Sequence, residues 1–424
     1  METGHDVVIV GAGVAGLSAA LLLAEQAPGT RIAILEATDR PGGRVRTTLY
    51  AGRNADLGAH WFHGGNDNPF WQFLLARYPD LAPLAGFDDI DRLKTVNGPD
   101  KDERLETAFE TVRQAWDEFQ AAHPGKDLSL ADLGDRLDEP CRALLRYMAV
   151  SWMAAPAAGD VSAHDYFSDP YGPAGIYLNT GMETAIHRMI ADLRARDIPL
   201  RLNAPVRRVH TTPAGARVEI EGGEVLSARA ALITLPVEIL KNKSLCFDPP
   251  LEPATQAALD GIRTFDMAKI FMPVRRDFFE QRAIRANTHA DLPDHDPPLF
   301  CHVLSGDRPA VTLLATDRLA RALPDMTPDA LLDFLTGVLN QIPCLRGVEA
   351  FYEAPPLVTA WHAEPYTRGA YTCAKPHCPR PGTMRDGNLY FAGEGWGRSD
   401  QGSGTVSAAF LSARDAVMRI LQDG

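Results

Sequence analysis

The 424-residue sequence predicts an α/β fold in which a domain built from both ends of the chain is interleaved with a second, α+β domain. Three observations predict this arrangement. The first 36 residues alternate as strand, glycine-rich turn, helix and strand. The middle of the chain, from about Phe87 to Ile190, has helical patterns broken by Pro and Gly clusters. Strand-like runs then return, and the chain closes with a strand and a helix that would complete the first domain.

The opening unit follows from its apolar runs and the break between them. Val7–Val10 is a continuous apolar run typical of a buried strand, and Leu17–Gln26 has a helical pattern. Pro28-Gly29 breaks the chain before a second strand at Arg31–Glu36. Because such crossovers are right-handed, the two strands are expected to be parallel neighbours.

The turn inside this unit has the glycine pattern of a dinucleotide site. Gly11 permits a tight turn, Gly13 lets the backbone approach a pyrophosphate, and Gly16 lets helix and strand pack closely. Glu36 ends the second strand 20 residues after Gly16, where a carboxylate accepts hydrogen bonds from a ribose. A dinucleotide cofactor is therefore predicted.

The remaining elements follow from the same periodicities. Helices are predicted at Arg104–Ala122, Arg142–Met153, Met182–Ala195, Pro328–Gln341 and a C-terminal segment with Val406, Phe410, Ala413, Val417 and Ile420 on one face. Strands of the first domain are predicted at Leu200–Leu202, Val206–His210, Arg217–Ile220, Ala230–Leu235 and Leu389–Ala392. Strands of a second sheet are predicted at Ala268–Pro273 and Ala310–Ala315.

Composition and charge limit the function classes. Apolar residues make up 45% and charged residues 23% of the chain, as in globular proteins. The net charge of −13 disfavours nucleic acid and anionic membranes as partners. It would also attract a cationic substrate, although many soluble proteins are acidic for solubility alone.

Cysteine spacing and hydropathy indicate the cellular compartment in which the protein is expected. The six cysteines lack CxxC spacing, which favours reduced thiols over a disulfide framework. Cys373, His377 and Cys378 offer only three ligands, with no fourth at the usual spacing, so no metal site is expected. The N-terminus lacks the pattern of an export signal, and no run of about 18 apolar residues occurs. We expect a cytoplasmic protein without a membrane partner.

The segment after the second strand favours one cofactor. Arg40-Pro41-Gly42-Gly43-Arg44 is a second glycine pair between two cations, which a simple NAD dehydrogenase does not need. Here the sequence resembles the flavin-containing amine oxidases, the family of monoamine and polyamine oxidases and flavin histone demethylases. The resemblance continues at intervals over nearly the whole chain, at Asp56–Gly64, Asn203–Val206, Ala231–Pro236, Phe247–Pro250 and Tyr390–Glu394. Gly58–Gly64 is most similar to polyamine oxidases.

The resemblance implies a Rossmann-like FAD-binding domain and its contacts. This domain would be discontinuous, over residues 1–85, 195–265 and 375–424, with an α+β substrate-binding domain over 86–194 and 266–374. The cofactor-binding residues it implies are Gly11, Gly13, Gly16, Glu36, Arg44, Gly58, Ala59, Val206, Trp361, Glu394, Gly402 and Thr405. Ala370 stands where covalent monoamine oxidases carry the cysteine bonded to flavin, so FAD is expected to bind non-covalently.

Four residues are implied at the reacting end of the site. By its pattern alone, Lys269 in an apolar strand either reaches the surface or points into a cavity; the resemblance makes it the family's lysine, linked through a water to flavin N5. Trp361 resembles the tryptophan packed beside the flavin, and Tyr371 one wall of an aromatic cage. His63 matches a polar substrate-contacting position of polyamine oxidases, with a structural histidine as the alternative.

The sequence departs from the family at the second wall of the cage. Gln401 stands where monoamine and many polyamine oxidases have an aromatic residue, which predicts a wider or more polar pocket. Trp396 is a possible replacement for that aromatic surface, with ordinary packing as the alternative.

The resemblance implies an FAD-dependent amine oxidase. Hydride transfer from the carbon beside the amine to flavin N5 would give an imine and then an aldehyde, with O₂ reduced to H₂O₂. An aliphatic di- or polyamine is the expected small-molecule substrate. The alternatives are an L-amino-acid oxidase or related flavin desaturase, for which Arg368 or Arg398 could hold a carboxylate, and a non-catalytic or electron-carrier flavoprotein.

Overall fold

A computed structural model describes residues 4–83, 99–171, 175–282, 284, 288–292, 295–304 and 309–423. The strands, numbered in chain order, are β1 His5–Val10, β2 Ile32–Leu35, β3 Thr47–Tyr50, β4 Arg53–Asp56, β5 Phe62–His63, β6 Gly175–Ile176, β7 Leu200–Arg201, β8 Val206–Thr212, β9 Gly215–Ile220, β10 Val225–Ile233, β11 Cys246–Asp248, β12 Ile262–Phe265, β13 Met267–Pro273, β14 Thr288–Leu292, β15 Leu299–Leu304, β16 Ala310–Thr316, β17 Leu357–Val358, β18 Tyr371–Ala374, β19 Met384–Asp386 and β20 Leu389–Phe391. The helices are α1 Val14–Gln26, α2 Pro69–Arg77, α3 Pro99–Ala122, α4 Leu130–Gly134, α5 Glu139–Tyr147, α6 Ala163–Phe167, α7 Glu183–Ala195, α8 Val237–Lys241, α9 Pro253–Asp260, α10 Arg276–Gln281, α11 Asp317–Ala322, α12 Pro328–Leu339 and α13 Val406–Asp423.

The larger sheet joins the two ends of the chain. Its order is β11-β8-β9-β10-β1-β2-β7, and β10 also pairs in parallel with β20. The strands β10, β1, β2 and β7 are parallel to one another, and β7 lies at the edge of the sheet. Within β1, Val7 and Ile9 pack toward the helices α1, α7 and α13, whereas Val8 and Val10 pack into the cluster on the other face. Burial on both faces explains why this strand is a continuous apolar run.

The packing of α1 on the sheet depends on a glycine. A Cβ built on Gly16 would lie 2.0 Å from the carbonyl oxygen of Gly11, so no other residue fits at this crossing. The helix begins directly after Gly13, and its first residues therefore face the carboxyl end of β1. The predicted strand, turn, helix and strand are all present here.

The smaller sheet is antiparallel, with the order β14-β15-β16-β13-β17. The helix α12 covers it through a core that includes Leu335, Leu339 and Ile270. Lys269 lies in the central strand β13, opposite Leu314 of β16. The two strands predicted for this sheet correspond to β13 and β16.

The helices α3 to α6 form a separate cluster beside the smaller sheet. The predicted helix over Arg142–Met153 ends earlier, as α5 at Tyr147, and continues as one π-helical turn over Met148–Trp152. Turns of this kind change which side chains face a neighbouring space. Here Ser151 and Trp152 line the cavity described below.

The packing of some elements crosses the predicted domain boundaries. The helix α7 was assigned to the substrate segment, but it packs with α1 in the core of the larger sheet. The pair β12 and β18 joins residues from the two predicted domains. The boundary between residues 85 and 86 lies outside the described residues.

Candidate active site

One cavity of about 2440 Å³ runs from the turn after β1, between the two sheets, to the helix α3. One end is lined by the backbone of the two glycine turns and by Glu36. Lys269, Trp361 and Tyr371 line the middle, and Phe109 lines the far end. The cavity therefore connects a dinucleotide-like cradle to an aromatic chamber.

The cradle is built by two glycine turns that contact each other. The Gly42 amide donates to the carbonyl of Ala12 at 2.8 Å, and a Cβ built on Gly43 would lie 3.6 Å from Cα of Gly13. A Cβ built on Gly13 itself meets nothing within 4 Å, because this residue faces the open cavity. Bare backbone beside a helix N-terminus is what a pyrophosphate requires.

Glu36 is held at the edge of the cradle. One carboxylate oxygen accepts from the Ala12 amide at 2.9 Å, and the other accepts from the amide and hydroxyl of Thr38 at 3.0 and 2.8 Å. These bonds fix the carboxylate at the cavity wall. It is thus positioned to accept further hydrogen bonds from a ribose, so the residues present fit a dinucleotide such as FAD.

A buried carboxylate stands at the middle of the cavity. Glu394 accepts from the Arg44 guanidinium at 2.7 Å and from the Thr372 hydroxyl at 2.6 Å. Burial opposes its ionisation, but the charges of Arg44 and Arg380 hold the pKa of Glu394 below its ordinary value. The same Arg44 nitrogen donates to the Ala370 carbonyl at 2.7 Å.

A second buried ion pair lies behind Glu394. The guanidinium of Arg380 contacts the Asp165 carboxylate at 2.8 Å, and both side chains are fully enclosed. Asp165 also accepts from the hydroxyl of Ser403 at 2.5 Å and from the amide of Ala374 at 2.8 Å. We refer to Arg44, Glu394, Thr372, Arg380, Asp165 and Ser403 as the buried polar network.

Lys269 reaches the cavity from β13. Its ammonium donates to the carbonyls of Asp56 and Gly58 and contacts Nδ1 of His60. Burial lowers the pKa of Lys269 well below its ordinary value, and the charge of Asp56 opposes part of that shift. A lysine in this state can hold or release a proton near neutral pH.

Asp56 is the carboxylate that faces Lys269. It accepts from the Thr47 hydroxyl at 2.5 Å and from the Met182 amide at 2.9 Å. Burial raises the pKa of Asp56, while these hydrogen bonds and the charge of Lys269 act in the opposite direction. The charge states of Asp56 and Lys269 therefore depend on each other.

His63 lines the same cavity beside Trp61, with 5.0 Å between ring centroids. Burial lowers its pKa to about 4, so the imidazole is neutral at pH 7. A neutral imidazole can accept a hydrogen bond from an ammonium group. Trp61 packs in turn against His60, Tyr177 and His302.

The two aromatic residues of the middle section are held by backbone oxygens. The Trp361 indole donates to the Leu57 carbonyl at 2.9 Å, and the Tyr371 hydroxyl donates to the Trp152 carbonyl. Both residues line the cavity with their polar ends already bonded, so their rings offer apolar surface to it. Burial raises the pKa of Tyr371 far above its ordinary value, so its hydroxyl stays neutral.

The structure also places the remaining predicted residues. Of those predicted to bind cofactor or substrate, the following line the cavity: Gly11, Gly13, Glu36, Arg44, Gly58, Ala59, His63, Val206, Lys269, Trp361, Tyr371, Glu394 and Thr405. Gly16 and Gly402 do not line it and instead support residues that do. Which atoms touch a bound ligand stays a prediction.

The structure bears on both residues considered for the missing cage wall. Gln401 is 2% exposed, donates to Asp415 at 2.8 Å and does not line the cavity, so its amide does not make the pocket polar. A wider pocket stays a prediction. Trp396 is fully buried and packs against Phe391, with 4.9 Å between centroids. It belongs to the core of the larger sheet and adds no aromatic surface to the site.

Sequence reasoning missed several residues. His60 lies inside a motif that was recognised, and its proximity to a lysine some 200 residues away has no local signal. Asp165 and Arg380 are charged residues without a motif, and their pairing depends entirely on the fold. Tyr171 follows Asp169 and Pro170 in a segment without periodicity, yet it lines the cavity.

Within the residues that the structure describes, no group of three or more His, Cys, Asp or Glu side chains could hold a metal ion. No helix in those parts of the chain is long and apolar enough to cross a membrane.

Comparison with known families gives two matches that together span most of the chain. Residues 77–421 match the family described as flavin containing amine oxidoreductase. Residues 9–77 match the NAD(P)-binding Rossmann-like domain.

Individual proteins match over nearly the full length of this chain. Polyamine oxidase 2 of Arabidopsis thaliana is 26% identical over 456 aligned residues, covering 98% of this chain and 89% of that protein. Lysine-specific histone demethylase 1 homolog 2 of Oryza sativa subsp. japonica is 27% identical, covering 98% of this chain and 57% of that protein. A putrescine oxidase variant from a redesign of cofactor binding superposes with a TM-score of 0.81 at 19% identity, covering 99% of both chains.

Proposed function

The chain belongs to the flavin-containing amine oxidoreductases, and from this premise we propose that it oxidises an aliphatic di- or polyamine with non-covalently bound FAD and O₂. The observation that carries the proposal is the position of Lys269. A buried lysine with a lowered pKa lies where the dinucleotide cradle meets the aromatic chamber. This is where a reacting carbon–nitrogen bond and a flavin ring would meet.

The cofactor is held by the chain's own polar groups. The glycine turns and the N-terminus of α1 would bind the pyrophosphate, and Glu36 the ribose. Arg44 and Glu394 would stand beside the ring-bearing end. When bound, FAD supplies the hydride acceptor and, with O₂, the route to H₂O₂. Ala370 offers no thiol at the position expected for a covalent link, which supports non-covalent binding.

In the proposed reaction, Lys269 would handle a proton and His63 would bind a charged end of the substrate. An amine loses a hydride from its α-carbon and a proton from its nitrogen to form a C=N bond, and water then yields an aldehyde and a second amine or ammonia. Only the neutral amine can release the hydride, because its lone pair forms the new bond. His63, neutral at pH 7, would accept a hydrogen bond from a distal ammonium. Lys269 would hold or move the proton at Nζ.

The aromatic chamber supports an aliphatic amine as substrate. Tyr371, Trp361 and Trp152 offer apolar faces for an alkyl chain. The runner-up, an amino acid, needs a cation aimed at its carboxylate. Arg398 pairs with Asp400 and Asp415 at the surface, and neither it nor the exposed Arg368 lines the cavity. The diamine proposal is therefore favoured over an amino acid held by either of these two arginines.

Oxygen consumption tests the proposed function. Purified protein saturated with FAD is mixed with a panel of diamines, polyamines, aromatic monoamines and L-amino acids in an oxygen electrode. We expect uptake with aliphatic di- or polyamines, return of half the oxygen when catalase is added, and formation of an aldehyde. Uptake only with amino acids would favour the runner-up, and no uptake with any substrate would favour a carrier flavoprotein.

A further inference from the structure

The ring of Tyr171 packs against two glycines, Gly64 and Gly402. A Cβ built on Gly64 would lie 2.7 Å from the Tyr171 ring, and a Cβ built on Gly402 would also lie 2.7 Å from it. Gly64 has a φ of 82° and Gly402 a φ of 81°. The ring therefore packs directly on bare backbone from two separate loops, and it lines the cavity.

Tyr371 packs on the other end of the same short loop. A Cβ built on Gly404 would lie 3.0 Å from the Tyr371 ring. Only Ser403 separates Gly402 from Gly404, so the two Cα atoms are at most about 7 Å apart. The intervening Ser403 lines the cavity and is fixed by its bond to Asp165. Two tyrosine rings from different parts of the chain thus flank one rigid segment.

The segment that carries Tyr171 also supplies a negative charge. The Tyr171 amide donates to the Asp169 carboxylate at 2.9 Å, and Asp169 lines the cavity as well. A carboxylate close to an aromatic face favours a cation over a neutral group at that face.

We propose that Tyr171 is a second aromatic wall of the substrate site, at the other end of the Gly402–Gly404 segment from Tyr371, and that its ring recognises an alkylammonium group. The inference rests on the proposed function and deepens it. Gln401, at the position where relatives were expected to carry this wall, is buried elsewhere. Tyr171 reaches the space from a different segment, so the chain keeps a two-walled site with a different residue. Tyr171 is then a specificity-determining residue for cationic substrates.

Calorimetric binding of a charged and an uncharged probe tests the role of the ring. Choline and 3,3-dimethyl-1-butanol have nearly the same shape, but only choline carries a charge. FAD-loaded protein is titrated with each probe in the wild type, in Tyr171→Phe and in Tyr171→Leu. Loss of a cation–π contact should weaken choline binding by about fivefold to thirtyfold in Tyr171→Leu.

The matched variants separate charge recognition from packing. Tyr171→Phe keeps the ring and should bind choline within about twofold of wild type. The uncharged probe should change by less than about threefold in Tyr171→Leu, since leucine keeps most of the apolar surface. Tyr50→Leu removes a tyrosine outside the cavity and should alter neither probe. If Tyr171→Leu does not fold, Tyr171→Met takes its place.

Three outcomes would overturn the inference. They are no choline binding to wild type, equal losses for both probes in Tyr171→Leu, and unchanged choline binding in that variant. These results are distinct from failure of the proposed function, because choline binding is measured without turnover. A protein that oxidises diamines but binds choline equally well with and without the Tyr171 ring would keep the proposed function and lose this inference.

Discussion

Among the described residues, three acceptor atoms surround the ammonium group of Lys269. Two carbonyl oxygens and a histidine nitrogen converge on its ammonium, so all three N–H groups of the charged form have partners. Burial works against the charge and lowers its pKa. These opposing effects leave the charged and neutral forms close in free energy, as a proton-moving group requires.

Replacing Lys269 by methionine tests this role. Lys269→Met keeps the length of the side chain but removes the proton. We expect the reaction of the reduced flavin with O₂ to slow by about 100-fold or more, with flavin content unchanged. Stopped-flow absorbance measures both half-reactions separately.

Lys241→Met is the matched control for that variant. Lys241 is also a partly buried lysine that donates to a backbone carbonyl, but it lies outside the cavity. Its loss should leave both half-reactions within about twofold of wild type. Equal slowing in the two variants would contradict a specific role for Lys269.

Asp169 provides a prediction about pH and stability. Burial raises its pKa to about 6, with a contribution from the charge of Asp165. A raised folded-state pKa gives stability that is present below the ordinary value of 3.8 and is lost as pH rises to about 6. Asp169→Asn should therefore gain up to about 1–3 kcal/mol relative to wild type between pH 4 and pH 8.

Urea unfolding at a series of pH values checks this expectation. The stability difference between Asp169→Asn and wild type should grow through the window from pH 4 to pH 6 and then level off. A difference that does not depend on pH would show that burial does not raise the pKa of Asp169 in the folded protein.

At this scale the sequence predicted the residues that belong to motifs. Lys269, Trp361, Tyr371 and Glu394 all reach the cavity. Tyr171 was not predicted, because its role depends on two distant glycines meeting its ring. A residue that takes the place of another from a distant part of the sequence leaves no pattern along the chain.

The elements around the site are tied together by the buried polar network. Asp165 lies in α6, Thr372 in β18, and Glu394 starts a short turn before α13. Arg380 connects all three, through the Asp165 carboxylate, the Thr372 carbonyl and the Glu394 carbonyl. The network therefore fixes the helical region against the loop that faces the cofactor.

Breaking the network should be costly. Asp165→Asn leaves Arg380 as a buried charge without its partner, which typically costs about 3–5 kcal/mol. We expect a clear drop in the free energy of unfolding and a lower FAD content after purification. Denaturant unfolding and the ratio of flavin to protein absorbance measure the two effects.

An exposed ion pair in the same region serves as the control. Glu139 and Arg142 pair on the surface of α5, with side chains 77% and 44% exposed. Glu139→Gln should cost less than about 1 kcal/mol and leave FAD content unchanged. Comparable losses in both variants would contradict a special role for the buried pair.

The elements that the sequence predicted share strong apolar periodicity. The opening unit, β13, β16, α12 and α13 all match their predicted positions within a few residues. The strands β14 and β15 were not predicted, because β15 carries a buried histidine, His302, among its apolar residues. The π-helical turn after α5 has no sequence signal, since its residues also suit an ordinary helix.

At the scale of the whole molecule, the cavity lies between two sheets. The chain forms most of the larger sheet first, then the smaller sheet, and then the last strands of the larger sheet. The order of motifs predicted this interleaving, because both ends of the chain carry parts of one dinucleotide domain. The sequence could not predict the exact boundaries, since packing assigns α7 to the core of the larger sheet. A helix with one apolar face fits either neighbour until the fold is known.

The charge of the molecule yields a prediction about ionic strength. The net charge is −13, and the acidic residues Glu106, Glu110, Asp117 and Glu118 of α3 line the far end of the cavity. A negative field speeds the encounter with a cation and is screened by salt. We expect kcat/KM for a diamine to fall several-fold between about 10 and 300 mM salt, with kcat nearly constant.

Neutralising two of these charges on α3 gives the corresponding control. Replacing Glu110 and Glu118 by glutamine should reduce the salt dependence for a diamine and should affect a monoamine less. Salt dependence that is equal for both substrates in both proteins would contradict a role for this surface.

The central claim is that an amine delivers two electrons to a flavin in this cavity, and anaerobic titration measures this most directly. Purified yellow protein is mixed with putrescine or a longer polyamine without oxygen, and the flavin absorbance is followed. We predict complete bleaching by one equivalent of substrate per flavin, with the colour restored by oxygen. A flavin that stays oxidised with every primary and secondary amine, while dithionite still reduces it, would contradict the account.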